Sequence, residues 1–521
     1  MTLASPATIT EVLDPVLRTD PHRLALAGPA GSLSYAELDA AADAAAAALA
    51  GLGVQPGDRV AVCLPNDVDI VVAFHGAMRA GAVWVGVNRA LAPAEKRAVL
   101  ADAAPALFLA DPETSAAIDA GLVAVHRRTT RVLPVDPAGG HGEWGVALAA
   151  SAGAARLPPP DPGAPAAIAF TSGTTGLRKG IVHSQRNLLL PAASLVASRR
   201  YDETLRKGDC LPLTILNMLV LTTLLTSFAG GCAILTDRRD ARGVAEWIGR
   251  QSVTLWNGVP AQLYSMVNDP QIDPAMLASL REAWTGGSPC PEDILVAFQS
   301  RFGVPIYQGY GLSEAPSVVT FEPVGGEHVK GSSGASLPHL EILVRDEDGR
   351  ELPAGEEGEI VVRGARTGPW AGAYTPMLGY WRDGHIEPFG HEALPTGDLG
   401  IVDSGGNLFL RDRKKLLIIR GGANVYPAEV ERVLDDAPGV RTSAVLGIPD
   451  PRLGQRVVAA VEVCPDSPGS PEKMIEHCRG CLARYKVPEQ IVIVDQLPRN
   501  AMGKVQRTRL AELFASGQPT P

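Results

Sequence analysis

Ten residues at 171–180, TSGTTGLRKG, combine four hydroxyl side chains, three glycines and two cations. Hydroxyls, cations and the exposed N–H groups of a glycine-rich backbone are the donors that bind a polyphosphate. A Walker loop is excluded, because it needs a glycine five places after Gly173 and Arg178 stands there. The composition alone is also typical of a flexible linker. We predict a phosphate-binding loop of another geometry, between strands at 166–170 and 180–183.

Five further motifs carry groups suited to nucleotide and thiol chemistry. They are YGLSE at 310–314, TGDLG at 396–400, RDRKKLL at 411–417, RGGANVYPAEVE at 420–431 and NAMGKVQR at 500–507. Each motif alone is equally explained by a surface turn or a solvated run of charge. In this order, and together with the loop, they resemble the motifs of the adenylate-forming superfamily, which includes acyl-CoA synthetases, peptide-synthetase adenylation domains and firefly luciferases. The resemblance covers nearly the whole chain and is closest to acyl- or aryl-CoA ligases.

The resemblance implies a site for ATP and Mg²⁺. Tyr310 would pack on the purine, Ser313 would reach the nucleotide, and Glu314 would coordinate Mg²⁺, a hard cation that prefers carboxylate and phosphate oxygens. Asp398 and Arg413 would hold the ribose hydroxyls. The other nucleotide-binding positions that the resemblance implies are Thr171, Ser172, Gly173, Thr174, Thr175, Gly176, Gln308 and Gly311, with Lys179 as a catalytic cation.

The resemblance also implies two half-reactions. A carboxylate first attacks the α-phosphorus of ATP and forms an acyl adenylate and pyrophosphate, a step in which Lys504 would act. A small domain then rotates about a hinge at Lys415, and the CoA thiol attacks the mixed anhydride. Gly421 and Gly422 would leave room for the pantetheine arm, because they carry no side chain. The expected ligands are therefore ATP, Mg²⁺, CoA and a carboxylic acid.

The acid is predicted to be apolar, and bulky or alicyclic. Relatives that adenylate amino acids carry an aspartate in the region that aligns with 211–223, and this segment, LPLTILNMLVLTT, contains no acidic residue. Many acyl and aryl relatives carry a histidine or an aromatic residue where Ile215 stands. Further pocket candidates, for which core packing is an equal explanation, are Trp256, Asn257, Val259, Trp284, Gly286 and Gly287.

Three departures from the family pattern leave alternatives open. Arg178 stands where the family usually has proline, Ile215 departs as described, and Leu416 replaces the usual acidic residue beside the hinge. One alternative is an enzyme with impaired adenylation that mainly converts a supplied acyl adenylate into its thioester. Another is transfer to a carrier-protein thiol, or to oxygen as in luciferases. A nucleotide-binding protein without catalysis is disfavoured, because the motifs retain their carboxylates, arginine and lysine together.

Helix and strand patterns alternate through the first part of the chain, which predicts stacked βαβ units and a largely parallel sheet. Ser34 and Glu37 predict a capping box ahead of an alanine-rich helix, and Ser184 is predicted to cap the helix after the loop. The proline-rich segment 157–167 predicts a connector that is neither helix nor central strand. The remaining strand patterns lie at 59–64, 82–87 and 106–110, and the helix patterns at 68–79 and after Pro93. The alternating pattern continues through 219–228, 232–235, 244–250 and 294–302.

From residue 341 onward, short β patterns separated by Asp/Gly turns predict a β-rich subdomain. About a hundred mixed α/β residues follow, enough to fold alone. We therefore predict an α/β protein with a large N-terminal domain, 1–412, of stacked α/β subdomains plus the β-rich subdomain. A small mobile C-terminal α+β domain would span 413–521, with the hinge near Lys415.

The composition excludes several classes of protein. The chain is 46% apolar and 20% charged with a formal net charge of −10, which argues against nucleic acid and anionic membranes as partners. Neither a signal peptide nor an apolar run of about 18 residues is present, so we expect a cytoplasmic protein. Seven scattered cysteines predict no disulfide framework, and we interpret Cys478 and Cys481 as buried helix residues rather than a metal site. A homodimer is left open.

Overall fold

The computed structural model describes residues 6–119, 130–136, 142–172, 178–287, 290–326, 328–413, 416–420, 423–450, 453–464, 469–482, 484–499 and 503–515. The chain forms two compact units. The first comprises Met1–Ile342, Val362–Leu394 and Gly406–Leu408, and the second comprises Leu343–Val361, Pro395–Gly405 and Phe409–Pro521. The predicted domain boundary between residues 412 and 413 stays a prediction.

The strands of the described residues fall into four sheets. In chain order they are β1 (Leu24–Gly28), β2 (Gly31–Ser34), β3 (Arg59–Cys63), β4 (Val83–Gly86), β5 (Leu107–Ala110), β6 (Arg131–Pro134), β7 (Pro165–Ser172), β8 (Arg178–Ser184), β9 (Arg206–Asp209), β10 (Cys232–Leu235), β11 (Leu255–Asn257), β12 (Glu282–Gly286), β13 (Ile306–Leu312), β14 (Ser317–Phe321), β15 (Ala335–Ser336), β16 (Leu340–Arg345), β17 (Glu357–Gly364), β18 (Gly379–Arg382), β19 (His385–Pro388), β20 (Ala393–Val402), β21 (Leu408–Arg413), β22 (Ile418–Arg420), β23 (Ala423–Val425), β24 (Val440–Asp450), β25 (Gly454–Val463) and β26 (Gln490–Ile493).

The helices of the described residues are mostly short. They are α1 (Asp14–Thr19), α2 (Tyr35–Gly51), α3 (Val68–Arg79), α4 (Pro93–Ala103), α5 (Pro112–Asp119), α6 (Glu143–Ala150), α7 (Gln185–Arg199), α8 (Leu216–Leu219), α9 (Leu225–Ala229), α10 (Ala241–Arg250), α11 (Pro260–Asn268), α12 (Glu292–Phe302), α13 (Pro427–Asp435), α14 (Pro471–Cys481) and α15 (Arg507–Ala515). A π-helical turn, Val220–Leu224, joins α8 to α9, and 3₁₀ turns form at Ile9–Glu11 and Pro274–Leu277.

Two large sheets organise the first unit, and both have parallel centres, as predicted. The nine-stranded sheet has the order β15-β14-β13-β12-β11-β9-β10-β1-β2, and the eight-stranded sheet has the order β19-β18-β8-β7-β4-β3-β5-β6. Antiparallel pairs lie toward their edges, among them β13 with β14 and β7 with β8. Alternate residues of β3 enter different cores: Val60 and Val62 pack in one, and Ala61 and Cys63 in another. The eight-stranded sheet is therefore buried on both faces, as parallel sheets generally are.

Local signals placed several helices correctly. The capping box at Ser34 and Glu37 is present at the start of α2, and α3 spans Val68–Arg79 as predicted. The Ser184 side chain accepts a hydrogen bond from the Asn187 N–H at 3.2 Å and so caps α7.

Two predictions were wrong in part. The connector was predicted to extend to residue 167, but Pro165–Ala167 belong to β7. This strand lies between β8 and β4 in the sheet. A proline is tolerated there because it is the first residue of the strand. Cys478 is buried on α14 as expected, but Cys481 is exposed at the last residue of that helix.

The second unit contains the mixed α/β pattern predicted for the C-terminal residues. The strands β23-β22-β25-β24 form one sheet, and β26 pairs with β25. Residues of β25 alternate between two apolar clusters, Val457 and Ala459 in one and Val458 and Ala460 in the other. The β-rich strands form a separate sheet in the order β16-β17-β20-β21.

Candidate active site

The predicted phosphate loop connects the antiparallel strands β7 and β8. Thr171 lies opposite Lys179, and Ser172 opposite Arg178, so the two strands continue to the edges of the loop. The two strands predicted on either side of residues 173–177 are confirmed. The predicted phosphate contacts at Gly173, Thr174, Thr175 and Gly176 lie outside the described residues.

Lys179 lies over the ring of Tyr380, with 5.1 Å between its Nζ and the ring centroid. Tyr380 sits on β18 opposite Ile181, so it shares a face of the sheet with Lys179, two residues along β8. Burial, and then the negative charge of Glu314, raise the pKa of the Tyr380 phenol. Lys179 contacts Tyr380 and the charge of Glu314 acts on it, and we refer to these three residues as the polar cluster. Tyr380 was not predicted, because nothing local in the sequence indicates that β18 pairs with β8.

Glu314 lies on a tight turn between β13 and β14. Leu312 pairs with both Ala315 and Pro316, and the Ala315 N–H donates to the Leu312 carbonyl at 3.2 Å. Ser317 ends the turn with φ +88°, a conformation that costs free energy in a residue with a side chain. Such strain persists only where the surrounding structure fixes it.

Glycine is required within β13. A Cβ on Gly311 would lie 2.0 Å from the Ser317 carbonyl oxygen, and a Cβ on Gly309 would lie 2.4 Å from the Phe321 ring. Gln308 and Tyr310 lie in the same strand, and the Tyr310 side chain is buried. The backbone of β13 and β14 is thus packed too closely for side chains at these two positions.

His183 connects this turn to the phosphate-loop hairpin, and sequence reasoning missed it. Its Nε2 lies 2.7 Å from the Ser313 carbonyl oxygen, and its Nδ1 lies 3.3 Å from the Asn187 amide nitrogen. The side chain is fully buried, and burial lowers the pKa of the imidazole to about 4. One signal was available: a histidine in the apolar strand GIVHS needs buried hydrogen-bond partners.

Several predicted pocket residues lie at the carboxyl ends of neighbouring parallel strands. Asn257 ends β11 and lies opposite Trp284 of β12, and Gly286 and Gly287 follow. Ligands of open α/β sheets bind at this edge. Trp256 lies on the opposite face of the sheet from Asn257 and is fully buried in a second core. Its side chain therefore packs in that core.

A buried polar network orients Asn257. The Asp209 carboxylate accepts hydrogen bonds from Thr222 at 2.7 Å, Lys207 at 3.3 Å and the Asn257 amide nitrogen at 3.4 Å. Burial lowers the pKa of Lys207, and the negative charge of Asp209 partly offsets this shift. Because a carboxylate only accepts, the amide nitrogen of Asn257 must face Asp209.

The segment before β10 contributes a wall near Asn257. The Met218 sulfur lies 3.9 Å from the Asn257 amide nitrogen. Ile215 precedes α8 and is partly exposed, and Val259, also partly exposed, precedes α11. The π-helical turn Val220–Leu224 follows α8 directly. Turns of this kind often mark functional sites. The substrate roles of these residues stay predictions.

Glu314 suits a cation held partly by a nucleotide. The side chain is partly exposed, and no described residue forms an ion pair with it. The described residues also contain no group of three or more His, Cys, Asp or Glu side chains that could hold a metal ion. Mg²⁺ commonly binds through one or two carboxylates plus phosphate oxygens, so a single carboxylate beside the predicted phosphate loop fits this ion.

Asp398 lies in the second unit, in a turn within β20. The Asp398 N–H donates to the Thr396 hydroxyl at 3.1 Å, and that hydroxyl donates to the Ile360 carbonyl at 2.8 Å. Gly397 between them has φ +73°, which explains the glycine of TGDLG. Asp398 is 7% exposed. Arg413 is the last residue of β21, and its side chain lies outside the described atoms, as does all of Lys415.

Lys504 lies in an exposed turn of the second unit. Arg499 pairs with Val505, and the Gln506 N–H donates to the Pro498 carbonyl at 2.7 Å. Arg507, just beyond, forms an ion pair with Glu431 of α13. The predicted pantetheine contacts Gly421 and Gly422 lie outside the described residues, directly before β23.

The first glutamate of α13, Glu429, is also structural. Glu429 receives both of its hydrogen bonds from Lys486, at 2.7 Å to each carboxylate oxygen. Glu431 accepts a hydrogen bond from the Val445 N–H at 2.8 Å as well as pairing with Arg507. These carboxylates hold the second unit together.

The family of AMP-binding enzymes matches residues 13–381, and the C-terminal domain of AMP-binding enzymes matches residues 429–504. The chain belongs to this family of ATP-dependent enzymes, in the group of the acyl- and aryl-CoA ligases. An indoleacetate–CoA ligase of Aromatoleum aromaticum is 32% identical over 510 residues, which cover 97% of this chain and 98% of that protein.

Two further similarities extend over the full length. A 7a-methyl-1,5-dioxo-octahydro-1H-inden-4-yl propanoyl:CoA ligase of Mycobacterium tuberculosis is 33% identical over 521 residues, or 97% of this chain and 99% of that protein. The crystal structure of ATP-bound MatB from Rhodopseudomonas palustris has a TM-score of 0.87 at 31% identity, covering 97% of this chain and 99% of that chain. Within the part of the chain that the structure describes, no helix has the length and apolar character needed to cross a membrane.

Proposed function

We propose that this chain converts an apolar carboxylic acid, bulky or alicyclic, into its CoA thioester through an acyl adenylate. The observation that carries the proposal is the cluster of Lys179, Tyr380 and Glu314 between the predicted phosphate loop and the strained turn after β13. A cation and a carboxylate that both lie near the same tyrosine can bind a triphosphate and Mg²⁺ respectively.

The adenylation step joins two anions, so neutralising charge is the main task of the site. Lys179 would bind a phosphate oxygen, while the face of Tyr380 keeps its ammonium group in place. Glu314 would hold Mg²⁺, which supplies charge neutralisation on the phosphates. Tyr310 would pack on the purine. Lys504 would add a further cation to this half-reaction only.

The thioester step would use other residues. Gly421 and Gly422 would line the pantetheine path, and a side chain at either would obstruct it. Because Lys504 serves one half-reaction and these glycines serve the other, a rotation about Lys415 is part of the proposal. Asp398 and Arg413 would hold the ribose in the nucleotide site.

The proposed substrate class is supported by the apolar residues among the described part of the proposed acyl pocket. Ile215 and Met218 are apolar, and the nearest buried acid, Asp209, is already occupied by Lys207, Thr222 and Asn257. Its Oδ1 also accepts a hydrogen bond from the Leu211 N–H, so this carboxylate already serves the protein's own groups. Two relatives are named for acids with fused bicyclic groups, which supports a bulky acid.

The test is a panel of carboxylic acids incubated with ATP, Mg²⁺ and CoA, scoring AMP and thioester separately. Alicyclic and arylalkyl acids are expected to give both products, and amino acids neither. Reactions without CoA, and with a carrier-protein thiol in its place, identify the acceptor. If no acid of the panel releases AMP or forms a thioester, the proposed function is wrong.

A second candidate function is conversion of a supplied acyl adenylate to the thioester with weak adenylation, which the departures at Arg178, Ile215 and Leu416 favour. Arg178 is the first residue of β8, and it keeps the backbone N–H that the usual proline lacks. Acid-dependent exchange of pyrophosphate into ATP decides between the candidates. Rapid exchange with the cognate acid excludes the half-enzyme. Thioester formation without exchange supports it, and Arg178→Pro and Ile215→His would then show which departure matters.

A further inference from the structure

We propose that His183 is a positioning residue for nucleotide and Mg²⁺ binding: it fixes the Ser313 peptide group and thereby aims the Glu314 carboxylate. The inference rests on the role given to Glu314 in the proposed function. His183 lies outside the motifs that carry the resemblance to the family, and the proposed chemistry requires no direct contact from it.

The protonation of His183 follows from its partners. Nε2 lies 2.7 Å from the Ser313 carbonyl oxygen, which can only accept, so Nε2 carries the proton. In the neutral ring Nδ1 is then the acceptor, and the Asn187 amide nitrogen, 3.3 Å away, donates to it. Full burial favours this neutral form. Asn187 is itself held at the start of α7, where its N–H donates to Ser184.

The bond to Ser313 acts directly on Glu314. The Ser313 carbonyl and the Glu314 N–H belong to one planar peptide group. A hydrogen bond that fixes the carbonyl therefore also fixes the positions of the Glu314 backbone nitrogen and Cα. The other end of the turn is held by the positive φ of Ser317 and the close packing of Gly311. Of these constraints, only the bond from His183 comes from a different sheet.

The same face of β8 supplies both elements of the site. Lys179, Ile181 and His183 alternate along the strand and therefore point to one side. Lys179 reaches the polar cluster through Tyr380, and His183 reaches the peptide before Glu314. One rigid strand thus sets the separation between the phosphate-binding lysine and the metal-binding carboxylate. Loss of the His183 bond should release the carboxylate while leaving Lys179 in place.

The experiment measures ATP affinity by calorimetry with and without Mg²⁺, together with thermal stability and both half-reactions. His183→Met removes the donor at similar volume, and His183→Gln places an amide N–H near the former Nε2. His183→Asn keeps a polar group that is too short to reach Ser313. His75→Met is the matched control, because His75 is equally buried in the same unit, on α3, and its Nε2 has no hydrogen-bond partner.

In the wild type, Mg²⁺ should tighten ATP binding. His183→Met and His183→Asn should lose roughly tenfold or more of that gain, and His183→Gln should recover most of it, as expected for one charge-directing hydrogen bond. Thioester formation from a supplied acyl adenylate should change less than about threefold, because that step does not use the Glu314 geometry. His75→Met should lower thermal stability and keep the full Mg²⁺ gain.

The proposal is overturned if His183→Met only lowers stability and keeps the Mg²⁺ gain, if His75→Met loses the gain equally, or if the wild type shows no gain. Should His183→Met not fold, the contrast between His183→Gln and His183→Asn decides. Failure of the proposed function is a separate result: a His183-dependent Mg²⁺ gain without thioester from any acid would leave the positioning role intact.

Discussion

The turn that carries Glu314 and the turn that carries Lys504 present charged groups in opposite ways. The first is held by a strained Ser317, a glycine with no room for a Cβ, and a buried histidine from another sheet. Among the described residues, the second is closed by hydrogen bonds of Arg499 and Gln506 at its base, and its lysine is exposed. Preorganisation suits a group that must hold a nucleotide in a fixed geometry. Exposure suits a group that acts in one half-reaction and then leaves.

The largest expected effect comes from removing the exposed lysine. Lys504→Ala should slow adenylation by at least roughly a hundredfold, about 3 kcal/mol of transition-state stabilisation. Stability should be unchanged, because the side chain is exposed. Acid-dependent pyrophosphate exchange measures the loss, and thioester formation from a supplied acyl adenylate should survive. Equal loss of both half-reactions would contradict the role of Lys504 and the contrast between the two turns.

The constrained turn should instead couple activity to stability. Gly311→Ala places a Cβ 2.0 Å from the Ser317 carbonyl oxygen, so the turn must shift. We expect a loss of about 1–3 kcal/mol in the free energy of unfolding, together with weaker Mg²⁺-dependent ATP binding. Urea unfolding and calorimetry measure the two effects. Gly51→Ala is the control, because nothing lies within 4 Å of its Cβ position. Equal behaviour of the two variants would show that the turn is not constrained.

Substitutions at Gly422 and Lys415 should have the opposite selectivity to Lys504→Ala: they should slow thioester formation and spare adenylation. Gly422→Leu would put a branched side chain into the proposed pantetheine path and should slow thioester formation by roughly tenfold or more, with acyl adenylate accumulating. Gly480→Leu is the matched control in the same unit, since its Cβ position is open. Lys415→Pro should resemble Gly422→Leu by restricting φ at the hinge. Normal thioester formation in Gly422→Leu and Lys415→Pro would remove the argument for rotation.

The smallest effect concerns acid stability of the first unit. Burial lowers the pKa of His75 and His339 to about 3 and that of His183 to about 4, against 6.5 in the unfolded chain. Between pH 6.5 and about 4 the unfolded state binds protons that the folded state does not, so stability falls as pH falls. Each histidine contributes a slope of up to about 1.4 kcal/mol per pH unit. Urea midpoints at pH 7.5, 6.0 and 5.0 should show a shallower fall for His183→Gln, and parallel curves would contradict it.

Features that depend on neighbouring residues in the sequence could be predicted, whereas contacts between residues far apart in the chain could not. Helix α3 was placed to the residue, because apolar patterning is local. Tyr380 and the Ser313 partner of His183 were missed, since these contacts join residues more than a hundred positions apart. Pro165 was excluded from a strand by its residue type, yet at the first position of β7 it is compatible with the sheet.

The π-helical turn at Val220–Leu224 belongs to the segment that forms one wall of the proposed acyl pocket, and it allows the length of that segment to change by one residue. A π turn accommodates one residue more than an α turn, so loss of one residue there would leave a continuous α-helix from α8 into α9. Because the π turn already holds the additional residue, the deletion would leave the side chains of α9 in their present orientation. A single in-frame codon deletion would thus remove one side chain from this wall and keep the packing of α9, whereas a deletion within a regular α-helix would rotate every residue beyond it by about 100°.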